Sequence, residues 1–151
     1  MKSIRMTRAK TGLAAGVLVL AGMGTTVVTA TPAAAVSWCN STNTSSKNFI
    51  EWRGEARIPV YRSGSTTTRT CQMSKGSTGS HVKALQTSLN ECYGENLDPD
   101  GIFGNATYWA LVRAQREEKI GADGIYGPET RDALGWYYKP VTPGYDECSR
   151  L

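Results

Sequence analysis

Asp100-Gly101-Ile102-Phe103-Gly104-Asn105-Ala106-Thr107 recurs as Asp123-Gly124-Ile125-Tyr126-Gly127-Pro128-Glu129-Thr130, each residue 23 positions after its counterpart. A fixed offset of this size marks a repeated supersecondary unit. Asp-Gly is a turn dipeptide whose glycine is free to take positive φ. Isoleucine and the following aromatic form a short apolar segment that can pin the turn to a core. The next glycine, Gly104 or Gly127, sits where a helix would begin. Pro128 suits the first helical position, where its missing N–H costs nothing. Glu129 and Thr130 suit the positive end of the helix dipole. Each copy therefore reads as a turn that launches a helix, with Asp100 and Asp123 bonding back to their own backbone.

Outward from the repeat, three helices are expected. His81–Cys92 places Val82, Leu85, Leu89 and Cys92 on one stripe. Asn105–Lys119 carries Ala106, Ala110, Leu111 and Ala114 and stops at Gly121, and a short helix runs from Pro128 to Leu134. Residues 36–73 are rich in Ser, Thr and Asn without helical periodicity. Within them Arg57–Arg62 alternates like a strand, and Pro59 marks it as an edge strand. Asn48–Trp52, through a turn near Gly54, is its expected partner. The chain thus reads as mainly α: a three-helix bundle over 74–136, a disulfide-held N-terminal segment with a small β-hairpin, and a tail over 137–151.

The first ten residues hold four basic side chains and no acidic one, followed by an apolar run to about Met23 and by Ala33-Ala34-Ala35. This is the pattern of a secretory signal peptide over 1–35. The apolar run is too short for a membrane span. Cleavage would leave 13 basic against 13 acidic residues, so nothing points to nucleic acid. The balance is uneven, however. Residues 36–75 carry six basic side chains against Glu51 and Glu55, which suggests an anionic wall polymer as a partner for a basic N-terminal face.

Four cysteines in a small exported chain read as two disulfides, for which three connectivities exist. The preferred pairing is Cys39–Cys71, closing the N-terminal segment, and Cys92–Cys148, tying down the tail. A zinc site lacks both a C-x-x-C pair and a second histidine beside His81. The calcium-like run Asn96-x-Asp98-x-Asp100-Gly101 has Thr107 where a bidentate glutamate is needed. Neither a metal nor a cofactor is implied. His81 reads as an exposed first-turn residue.

Gly76-Ser77-x-Gly79-x-x-Val82-x-x-Leu85-Gln86-x-x-Leu89-Asn90 resembles the first helix of the peptidoglycan-binding domain 1 family. The two turn motifs, with Ala110, Leu111 and Gln115, resemble the rest of that family over about residues 74–135. Ala114 departs from it, standing where the family usually has an aromatic. Signal style and cysteine placement resemble exported actinomycete proteins. The resemblance implies a three-helix module that binds bacterial peptidoglycan and often tethers a wall hydrolase.

Aromatic and polar side chains near the turns are the candidate ligand contacts: Asn105, Tyr108, Trp109, Arg113, Tyr126, Arg131 and Trp136. Sugars and short peptides bind between aromatic walls with a few polar groups, and the arginines suit a stem-peptide carboxylate. The turn residues Asp100, Gly101, Gly104, Asp123, Gly124 and Gly127 read as scaffold. The leading expectation is a monomeric, secreted or wall-associated, non-catalytic peptidoglycan-binding protein. The alternatives are a small wall hydrolase using Glu117, Glu118, Asp100 or Asp123, and an interaction or inhibitor protein on the same scaffold.

Overall fold

The computed structural model describes residues 35–151. The signal-peptide reading, Ala35 apart, lies outside them. In chain order the elements are β1 (Ser37–Trp38), β2 (Ser41–Asn48), β3 (Arg53–Ser63), β4 (Thr66–Thr68), β5 (Cys71–Gln72), α1 (Ser80–Tyr93), α2 (Asn105–Glu117), α3 (Pro128–Ala133), β6 (Trp136–Pro140) and β7 (Glu147–Ser149).

A mainly α fold is therefore wrong: β2, β3, β4, β6 and β7 form a five-stranded antiparallel sheet. Its hairpin pairs Ser41 with Val60 and Asn48 with Arg53, so the turn lies at Phe49–Trp52 and Gly54 falls inside β3. Only Thr42 of β2 is buried. This strand shows no apolar alternation because its register is set by β3, where Ala56, Ile58 and Val60 point into the core. The tail joins the sheet as well. Trp136 and Tyr138 are buried and alternate with outer Tyr137 and Lys139, and β6 pairs with β3 at Gly54–Glu55 and with β7 beyond it. Because β6 reaches only Gly54–Glu55 and β4 starts opposite Tyr61, Pro59 has a paired strand on one side alone. That position tolerates a residue without an N–H.

Helices and sheet share one core. Ala56 and Ile58 pack with Val82, Leu85, Leu89, Phe103, Leu111, Tyr126, Leu134, Trp136 and Tyr138. The helices therefore do not bury a bundle of their own; α1 packs against β3 and β6 as well as against α2. Disulfides join Cys39 to Cys71 beside the β1–β5 pair and Cys92 at the end of α1 to Cys148 in β7.

Each helix launch is organised by a buried glutamine from the preceding helix. Gln86 Nε2 donates to Asp100 Oδ1 (2.9 Å), Ile102 O (3.1 Å) and Thr107 Oγ1 (3.1 Å), and Gln86 Oε1 accepts from Gly101 N (2.9 Å). Gln115 does the same with Asp123 Oδ1 (3.1 Å), Ile125 O (3.0 Å), Thr130 Oγ1 (3.1 Å) and Gly124 N (2.9 Å). The aspartates also accept from Ile102 N and Ile125 N, closing each turn on itself. A residue 14 positions before the first aspartate and one 8 positions before the second thus reach the same atoms. The helix N-termini at Gly104 and Gly127 have no side-chain cap, so the turn itself fixes their direction.

Replacing Gln115 by Leu should cost about 3 kcal/mol, because it strands the Gly124 N–H in the interior and takes the donor away from Asp123, Ile125 O and Thr130. Urea unfolding measures this; a loss below about 1 kcal/mol, the size of one ordinary hydrogen bond, would show that the turn is held by other contacts.

Candidate functional site

Residues 73–79 run between the N-terminal segment and α1 and are stitched to both turns. Met73 and Tyr126 exchange backbone hydrogen bonds of 2.9 Å in both directions. Phe103 N donates to Ser77 O (2.9 Å), Gly76 N to Phe103 O (3.0 Å) and Gly79 N to Gly101 O (2.8 Å). This strap brings one side chain, Lys75, to a central place. Its ammonium lies 4.0 Å from the centroid of the Tyr108 ring, a contact favourable by about 0.5–1 kcal/mol. Tyr108 meets Trp109 edge to face at 5.0 Å. The Tyr108 ring also packs closely against Gly124: a Cβ there would come within 2.1 Å of it, and Gly124 has φ +70°.

On its other side Lys75 borders a cleft of about 520 Å³, whose wall also includes Trp38, Ser77, Thr78 and His81. Trp38 is 56 % exposed and Trp109 51 % exposed. Trp38, from the N-terminal segment, shares this cleft with Lys75, while Trp109, from α2, is linked to Lys75 through the Tyr108 ring. Ile102 and Ile125 are also outward, at 54 % and 42 % exposure. The apolar pair of each turn splits: the aromatic pins the core while the isoleucine faces out.

Several residues singled out from the sequence sit elsewhere. Tyr126 and Trp136 are fully buried, packed edge to face at 6.1 Å, and Trp136 Nε1 donates to Arg131 O. Arg131 is held by Asp132 and by Arg69 O (2.8 Å). Arg113 is paired with Glu95. Asn105 is exposed beside Asp98 and Ile102, in a smaller hollow of about 210 Å³ at the first turn. The structure thus brings together Tyr108 and Trp109, and adds Trp38 and Lys75, which composition alone did not mark.

His81 is not exposed but 5 % accessible, because its ring folds back over Gly79, where a Cβ would lie 3.0 Å from Cε1. Its Nδ1 has no hydrogen-bond partner among the described residues. Burial lowers its pKa below the ordinary histidine value.

Three of the four carboxylates considered for catalysis are engaged in structure. Hydrogen bonds from Gln86 and then from Ile102 N hold Asp100 below its ordinary pKa, opposite to what a general acid at neutral pH requires. Asp123 accepts the equivalent pair of bonds, from Gln115 Nε2 and from Ile125 N. Glu118 accepts from the Tyr93 hydroxyl (2.7 Å) and from Arg150 (2.6 Å), while Glu117 is exposed.

A family model described as a putative peptidoglycan binding domain matches residues 78–134. Residues 78–134 thus carry a domain of this family. The peptidoglycan-binding domain comprises α1–α3 and both turns, and leaves β1–β5, the strap residues 73–77, β6 and β7 outside the match. A probable N-acetylmuramoyl-L-alanine amidase of Bacillus licheniformis is 48 % identical over 65 residues, 41 % of this chain and 18 % of the amidase. A spore cortex-lytic enzyme of Halalkalibacterium halodurans is 41 % identical over 59 residues, 39 % of this chain and 18 % of that enzyme. The chain therefore spans under a fifth of the length of these curated relatives. The solved SleB N-terminal domain is 32 % identical, with a TM-score of 0.40 over 41 % of this chain and 85 % of that domain.

Two predictions concern the floor and rim of this surface. Gly124→Ala should displace the Tyr108 ring and destabilise the domain by about 2 kcal/mol, from positive-φ strain plus the clash; thermal denaturation and loss of the ring-shifted proton signals report it. His81, the one histidine in the chain, should titrate below about 6.5. Since its folded pKa is depressed, the unfolded chain takes up the proton first. This stability is intact above about pH 6.5 and declines as pH falls through the folded value. An NMR titration midpoint at or above the ordinary value would contradict the burial described.

Proposed function

We propose that this is an exported, non-catalytic protein that binds bacterial peptidoglycan, and that the ligand lies along the surface running from Trp38 over Lys75 to Tyr108 and Trp109. The observation that carries this reading is the family match over residues 78–134, on the helices that present the Tyr108–Trp109 pair. Aromatic faces with an ammonium between them suit a chain of sugar rings bearing acidic substituents: the rings supply apolar contact and Lys75 a charge-assisted hydrogen bond. Ile102 and Ile125 extend the apolar area at the two turns, and Asn105 offers an amide at the first. The buried Tyr126 and Trp136 and the half-buried Arg131 act beneath this surface by supporting it. Localisation at the cell wall follows from the ligand.

Non-catalytic binding is supported by the engagement of Asp100, Asp123 and Glu118 in structural hydrogen bonds. Catalysis in the longer relatives is a matter for the remaining four-fifths of their chains, which this sequence does not span.

The purified protein should co-sediment with insoluble peptidoglycan without releasing reducing sugar or free amino groups. Trp38→Ala and Trp109→Ala, both at exposed positions, should leave the melting temperature unchanged. Each should weaken retention by about fivefold to tenfold, the usual cost of removing an aromatic anchor at 1 kcal/mol or more. Failure of the wild-type protein to sediment would reject the reading, and release of soluble fragments would replace it with a hydrolase.

A further inference from the structure

A second cleft, of about 320 Å³, opens between the sheet and α1. It shares no residue with the cleft beside Trp38. Three cations from three different elements line it: Arg57 of β3, Lys83 of α1 and Lys139 of β6. The described chain from Val36 onward is formally neutral, with 13 basic and 13 acidic residues, so this is a local concentration of one sign.

The neighbouring groups offset it only in part, through Glu55, which stands opposite Lys139 across the β3–β6 pair. Glu55 is the one carboxylate in the lining, and it already accepts from Ser46 Oγ (3.3 Å) and Arg53 (3.5 Å). The Arg57 guanidinium donates to Thr44 Oγ1 (3.2 Å) and to Thr42 Oγ1, both neutral acceptors. Among the described residues no carboxylate lies within ion-pair distance of Arg57, Lys83 or Lys139. The Tyr137 ring gives the cleft an apolar wall, with Lys139 Nζ 5.8 Å from its centroid. Burial, a hydrogen bond to Asp146, and the charges of Asp146 and Glu91 push the Tyr137 phenol up to about 12. Asp146 and Glu91 do not line the cleft.

Like charges from separate elements repel one another unless an anion sits among them, and a low-dielectric wall strengthens that attraction. We propose that this cleft is an oxyanion site for an acidic substituent of the wall polymer, a phosphodiester or a carboxylate. Arg57 supplies a planar fork of donors that fits either group, and the two lysines supply mobile point charges at the rim. The identity of the polymer rests on the wall-binding reading above, but the residues are different. The sheet and α1 build the cleft jointly, so the N-terminal segment contributes to binding here and does more than close the core.

The test is titration of the full-length mature protein with two soluble probes, poly(glycerol phosphate) and poly(γ-glutamate), at low and moderate salt. Lys83→Ala/Lys139→Ala should bind at least one probe about tenfold more weakly and with a shallower salt dependence, as expected when two ionic contacts are lost. Both lysines are exposed, so the variant should keep its melting temperature. Arg62→Ala/Arg116→Ala removes the same charge from exposed positions outside the cleft and should change affinity by no more than about twofold. Loss with the phosphate polymer alone assigns a phosphodiester; loss with the polyglutamate alone assigns a carboxylate. Equal loss in both double variants, or no binding of either probe by the wild type, overturns the proposal. Sedimentation with peptidoglycan stripped of phosphodiester polymers judges the other reading separately, because there Lys83→Ala/Lys139→Ala should still be retained through Trp38 and Trp109.

Discussion

The architecture depends on two primary amides buried in an apolar interior. A glutamine side chain out of water needs every donor and acceptor matched, or it costs more than a leucine would. Gln86 and Gln115 meet that demand only when an Asp-Gly-Ile turn and a first-turn threonine arrive together at the correct distance. The requirement works in both directions. It fixes where each turn stands relative to the previous helix, and each turn then fixes where the next helix begins. Aromatic and aliphatic contacts supply most of the burial in this core, but they are non-directional. The amides give the angular information.

How far the sequence discloses the fold follows from this division. The helix positions and the turns are local matters, written in glycine, proline and a 3.6-residue stripe, and they are legible within a residue or two. The role of Gln86 and Gln115 is not, since a lone glutamine on an apolar face carries no mark of its partner 8 or 14 residues away. The sheet is hidden for a different reason. β2 reads Ser-Thr-Asn-Thr-Ser-Ser-Lys-Asn and has one buried side chain, so the pairing surface of β3 decides its conformation. The alternation of Trp136 and Tyr138 against Tyr137 and Lys139 was present in the sequence as a strand signal, but proline and aromatic richness make it resemble an irregular tail.

The candidate site shows a similar split. Tyr108 and Trp109 could be singled out because they stand at the start of a helix launched by the first turn. Tyr126 and Trp136 have the same chemistry and lie in the core, which only the meeting of helices and sheet decides. Lys75 and Trp38 were unremarkable in sequence. Lys75 becomes a neighbour of the site because residues 73–79 are fastened to both turns, and Trp38 because β1 pairs with β5 just before them; backbone partners leave no trace in residue identity. His81 illustrates the converse: a polar residue in a first turn is usually solvated, yet the missing side chain of Gly79 leaves room for its ring to fold inward.

Trp38 immediately precedes Cys39, and Cys39 is bonded to Cys71. Apart from that bond, the segment around Trp38 is anchored by a strand pair two residues long and by a few hydrogen bonds to β3 and β5, such as Asn40 N to Val60 O and Cys39 N to Gln72 O. One wall of the aromatic cleft is thus fastened covalently in an oxidising medium and by these non-covalent contacts alone in a reducing one. Cutting the Cys39–Cys71 bond would lengthen the free run leading to β2 and leave the position of Trp38 to the short β1–β5 pair and the hydrogen bonds around Asn40.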